Sequence, residues 1–143
     1  MPPTTPQANV PLLHKFLGIG MVLLAGAFIV AASMGFAPLL LEGDDVTQVL
    51  AYTLPAMSTI LVVAALFVFK PRVPERTPGQ TVDQYWATPD VAAKVLLVWF
   101  VLEGGGTLAA VAYLLTSAIV AAIVMGAAIV AFWLCGPNAF AKA

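Results

Sequence analysis

Trp99-Phe100-Val101-Leu102-Glu103-Gly104-Gly105-Gly106-Thr107 sets one carboxylate and three consecutive glycines inside a long apolar run. Whether the chain continues as a helix through these glycines or turns back at them decides how often it crosses a bilayer. From Asp90 to Cys135 there are 46 residues without a proline. As one helix they would extend about 69 Å, more than twice a hydrocarbon core of about 30 Å, so the chain must turn within them. A break at Gly104-Gly105-Gly106 gives a re-entrant half-helix and three full crossings. A tight hairpin at Leu114 to Ala118, with Thr116 or Ser117 accepting amide bonds as the cap of the next helix, gives four.

A bilayer is the setting because of composition. The chain of 143 residues is 62% hydrophobic and only 9% charged, with a mean hydropathy of +1.00, against about 25% charged residues in soluble domains. A net charge of −1 gives no basic surface for nucleic acid. One cysteine, Cys135, closes no intrachain disulfide and builds no metal cluster.

Two further apolar runs precede the quoted stretch. Phe16 to Leu41 offers 26 uncharged residues, longer than the apolar core of a secretory signal, about 7 to 15 residues. It reads as a first span, preceded by a proline-rich tail over 1–14 and ended by Gly35 and Pro38. The acidic turn Glu42-Gly43-Asp44-Asp45 follows. Val46 to Phe69 gives a second run of 24 residues, stopped by Lys70-Pro71. Pro55 inside it is expected to kink the helix and free the carbonyl of Ala51, which Ser58, Thr59, water or a neighbour has to accommodate. The connection from 70 to 90 is too short and too proline-rich for a domain. Within it Tyr85 and Trp86 read as an interfacial anchor. Thr88-Pro89-Asp90 then reads as a helix start, with a capping hydroxyl, a proline at the first position and an acid in the first turn.

Charge decides between three crossings and four. With four, all six cations, Lys15, Lys70, Arg72, Arg76, Lys94 and Lys142, fall on one side, and Glu42, Asp44 and Asp45 fall on the other. That is the positive-inside pattern. The expectation is a single all-α transmembrane domain, an antiparallel four-helix bundle with spans about 16–37, 47–69, 91–115 and 118–135. Both termini and the 70–90 loop are then cytoplasmic, in a multi-pass protein of the cell inner membrane.

Depth can be counted from the cationic ends. Glu103, nine residues past Lys94, lies about 13 Å deep by helix rise. Thr59 is expected at nearly the same level, with Leu24-Ala25-Gly26 and Val124-Met125-Gly126 on the other helices. A central acid costs about 2.5 to 3.5 kcal/mol on insertion scales, and such residues usually face a bundle interior or a hydrated cavity. No cation shares its depth, so desolvation favours the neutral acid, able to hydrogen-bond a backbone carbonyl, Thr59 or Thr107. Glu103, Thr107 and Thr59 are therefore the candidate proton- or cation-binding residues. Gly104, Gly105, Gly106, Gly26 and Gly126 are the candidate close-approach positions for helix packing.

The remaining residues carry little chemistry. His14 has no second histidine for a bis-histidine haem and reads as a surface residue before the first helix. Asp44 and Asp45 read as a solvated turn, and Cys135 as a small apolar side chain. No nucleophile set, cysteine pair or phosphate loop is present, so neither catalysis nor a cofactor is expected.

The segment Leu102 to Leu115, LEGGGTLAAVAYLL, resembles the acid-bearing helix of rotary ATPase proteolipid (c-type) subunits. It is also similar to uncharacterised four-span bacterial membrane proteins that begin this helix Leu-Glu-Gly and end it Val-Ala-Tyr-Leu-Leu-Thr. The likeness covers one helix in four and implies that Glu103 is an ion-carrying acid. Two functions follow. One is a proton or cation pathway component centred on Glu103. The other is a non-catalytic accessory subunit packing within a larger membrane complex. Its partners are the lipid bilayer and either further copies of the chain or other membrane subunits.

Overall fold

The computed structural model describes residues 9–35 and 44–142. Among these the regular structure is all helical, with no strand. Helix α1 is Val10–Ser33, α2 is Asp44–Ala64, α3 is Val82–Trp86, α4 is Pro89–Thr116, α5 is Ile119–Leu134 and α6 is Pro137–Phe140. A π-helical turn, Ala65–Phe69, and a 3-10 turn, Lys70–Arg72, continue α2. Three stretches are long and apolar enough to cross a membrane: α1, the run Asp45–Arg72 and α4. Helix α5 has 16 residues, about 24 Å by helix rise, so it is shorter than a full hydrocarbon core.

Helix α4 passes through the three glycines without interruption. Glycine weakens a helix by about 1 kcal/mol each relative to alanine but breaks no ladder bond, and the neighbours packed on this segment hold it. The chain turns where the hairpin was expected. Ser117 takes the left-handed conformation at φ 53°, and the Thr116 Oγ1 accepts the Ala118 amide at 3.3 Å while donating to Ala112. Ala118 itself occupies the cap position of α5 without a side-chain bond.

Three local expectations are corrected. The first helix begins at Val10, not near residue 16, because Pro11 suits the first turn of a helix and needs no amide partner there. Its C-terminus agrees: Gly35 adopts φ +78° after Ser33, whereas Pro38, Glu42 and Gly43 lie outside the described residues. Thr88 does not cap α4 with its hydroxyl, which instead donates back to the Gln84 carbonyl at 3.1 Å. Tyr85 is no exposed anchor. It is buried, and its hydroxyl donates to the Pro74 carbonyl at 2.9 Å, tying down the loop. Helix α3 holds it in place through a reciprocal capping box between Thr81 and Gln84.

Helix α4 is the centre of the molecule. Half of its apolar window is buried, against 17% for α1 and for the α2 run. It packs on α1, α2 and α5, whereas α1 and α2 barely touch each other among the described residues. Its inward face is Val91, Val95, Val98, Trp99, Leu102, Gly105, Gly106 and Ala109, spaced at three and four as a helix requires. The larger part of the core, around Trp99, Phe132, Tyr85 and Phe140, lies at one end. A smaller cluster of Ala25, Ala109, Ala110 and Met125 lies further along.

Candidate functional site

The glycines of α4 divide by face. A Cβ added at Gly105 would lie 3.1 Å from a Val62 methyl carbon and 3.3 Å from the Ser58 carbonyl oxygen, so α2 approaches α4 there. One at Gly106 would overlap the terminal methyl of Met21 on α1 and reach Ala128 of α5 at 3.4 Å. Gly104 meets nothing within 4 Å, nor do Gly26 and Gly126. Two of the five candidate packing glycines thus carry contacts inside this chain, and three face outward. A third glycine in close contact is Gly18, whose added Cβ would press on the Trp133 ring at 2.8 Å.

Glu103 precedes this set, half-buried at the margin of the exposed strip formed by Leu97, Phe100 and Gly104. Among the described residues its carboxyl makes no hydrogen bond and no ion pair. Thr107, one turn on, is half-buried and does not bond it either. Thr59 is exposed, and its hydroxyl donates to the Pro55 carbonyl of its own helix at 2.8 Å. The structure therefore does not bring Glu103, Thr107 and Thr59 together through hydrogen bonds.

The hydroxyl that faces α4 is that of Ser58. It is fully buried and donates to the Gly105 carbonyl at 2.5 Å. Counting depth gave the level but not the face, and one residue along a helix is a rotation of about 100°. The expected neighbours on α1 shift for a related reason. Leu24 to Gly26 are expected level with Glu103, but His14 of α1 meets Trp99 and Met21 lies against Gly106, which places those residues beyond Glu103, because Lys15 and Lys94 are not level. Flexible lysine stems reach an interface from different depths.

A second constellation gathers where α1 begins and α5 ends, and here His14 departs from its expected surface position. Its ring is buried, stacked on Phe132 with centroids 4.5 Å apart and planes 6° apart. Trp99 lies at 4.6 Å, and Trp133 meets it edge-on at 5.5 Å. The His14 Nε2 donates to the Phe132 carbonyl at 3.1 Å, and the Trp99 Nε1 donates to the Cys135 carbonyl at 2.7 Å. The last four carbonyls of a helix have no intrahelical amide partner. Two aromatic N–H groups from α1 and α4 thus satisfy carbonyls at the end of α5. The sequence signal was Gly136-Pro137, which stops α5 and leaves those carbonyls to be claimed from elsewhere.

No protein family, curated protein or solved structure matches the chain.

Proposed function

We propose that the chain is a small integral membrane protein acting as a non-catalytic accessory subunit, with the Glu103 carboxyl as its buried contact to a partner helix. The carrying observation is that this carboxyl has no partner among the described residues and stands beside Gly104 on an open apolar strip. Acids in spans usually face protein or water, because lipid offers no compensating hydrogen bond. Gly104, without a side chain, leaves room for another backbone to come close.

Four crossings with both termini in the cytoplasm belong to this reading, in the cell inner membrane. They are supported by the order of contacts: His14, Met21 and Ala25 of α1 meet Trp99, Gly106 and Ala109 of α4 in the same sequence, while α5 meets them in reverse as Phe132, Ala128 and Met125. Lys15 and Lys142 line one groove, and Lys70 reaches Cys135 at the same end, in keeping with a shared cationic side.

Native mass spectrometry after gentle extraction tests the reading. A complex with further copies or with other membrane subunits is expected, weakened by Glu103→Leu. Free monomer as the sole species sinks it. A second reading, the proton or cation pathway, draws on the half-exposed position of the carboxyl, which a partner could complete into a path with Thr107 and Thr59. Proton flux in liposomes that is unchanged by Glu103→Gln removes Glu103 as a carrier.

A further inference from the structure

A groove of about 730 Å³ opens where the first turns of α1, the short α3 and the segment after α5 come together. Trp86, Trp133 and Leu134 supply its apolar wall, and Lys15, Asn138 and Lys142 its polar rim. His14 contributes too, held in place by its bond to the Phe132 carbonyl. Among the described residues no acidic side chain lines the groove. Among the described residues the one salt bridge, Lys94 with Asp90, involves neither rim lysine. Leu134 is 72% exposed and Trp133 45%, so the apolar wall runs on into the outer surface of α5.

We propose that this groove holds the headgroup of an anionic phospholipid, its phosphate taken by Lys15 and Lys142 and its acyl chains lying along Trp133 and Leu134. Two unpaired ammonium groups without a neighbouring acid call for an anion. The apolar wall that leads from them onto the outside of a span calls for an anion with hydrocarbon attached. Tryptophans at that boundary match the headgroup layer, where a ring can keep one edge wet. A zwitterionic lipid brings its own cation, which the two lysines repel. The proposal rests on the chain being membrane-embedded and is independent of any role for Glu103.

The test reconstitutes the full chain into vesicles containing either phosphatidylglycerol or phosphatidylcholine with brominated acyl chains, and reads quenching of tryptophan fluorescence. Flotation of protein with both vesicles is measured first. A preference of about tenfold for the anionic lipid is expected, lost in the double variant K15Q/K142Q and retained in K94Q, whose lysine lies outside the groove. Equal quenching by the two lipids in a chain that floats overturns the proposal, as does a preference that K94Q removes as fully as the double variant. A preference abolished by millimolar inorganic phosphate at constant ionic strength also overturns it, because the site would then take a soluble anion. A chain that floats with neither vesicle overturns the membrane reading itself.

Discussion

The Ser58 hydroxyl donates to the Gly105 carbonyl across the α2–α4 contact, joining two helices through residues 47 positions apart. This bond can form because Gly105 has no side chain to hold the helices apart. Removing the hydroxyl leaves the Gly105 carbonyl its own helix, so Ser58→Ala is expected to cost about 1 kcal/mol. Thr59→Ala, one position away, should change stability by only a few tenths, because its hydroxyl serves its own helix. Unfolding titrations in mixed micelles measure both, and equal losses would contradict the assigned faces.

Gly104 and Gly105 should respond differently to alanine. At Gly104 a methyl enters open space, and helix propensity alone predicts a gain of up to about 1 kcal/mol in the isolated chain. At Gly105 the obstacles include a backbone oxygen and the Leu61 Cβ, which cannot rotate away, so a net loss of about 1–2 kcal/mol is expected. The same titration ranks them. Within a native complex Gly104→Ala should instead weaken association, because the open space is the partner's under the proposed function.

His14→Phe keeps a ring stacked on Phe132 and tilted against Trp99 but withdraws the donor from the Phe132 carbonyl. A loss of about 1–3 kcal/mol is expected from the orphaned acceptor. His14→Ala adds a cavity among three aromatic rings and should cost more, about 3–5 kcal/mol in all. Trp99 fluorescence, red-shifted by water entering that cavity, offers an independent measure.

Burial pushes the Tyr85 phenol above the ordinary tyrosine value of about 10. A folded-state value above the unfolded one means that the stabilisation from the neutral phenol is complete below pH of about 10 and disappears as pH rises through the raised value. Phenolate has no proton to give the Pro74 carbonyl, so the 70–90 loop should become open to proteolysis only in strong alkali. Tyr85→Phe should expose the loop at every pH. In absorbance titration, Tyr85 should ionise above the ordinary tyrosine value of about 10.

Much of this architecture was readable from residue types. Gly35 stopped α1, Lys70-Pro71 ended the second apolar run, and the turn at Thr116-Ser117 fell where the length of the 90–135 run required one. These signals are local, and backbone conformation obeys them. The misses were matters of rotation and depth. Thr59 and Ser58 are adjacent and chemically alike, and only the packing of α2 on α4 selects between them. His14 looked like a surface residue because a lone histidine beside a lysine carries no periodic signal. Its burial depends on Trp99 and Phe132, 85 and 118 positions away respectively. Glu103 was legible as a singular acid with no cation at its depth, whereas the hydrogen bonds expected for it from Thr59 or Thr107 do not form among the described residues.

The centrality of α4 has a consequence for biogenesis. Under the proposed membrane reading, synthesis delivers α1 and α2 first, and because they offer each other almost no contact surface among the described residues, they would leave the insertion machinery as separate spans in lipid. Both wait for α4, whose arrival condenses the domain around Gly105 and Gly106 in one step. A ribosome that stalls or terminates between Trp86 and Val91 therefore releases two helices with nothing to hold them together, a substrate for membrane proteases rather than a half-built protein.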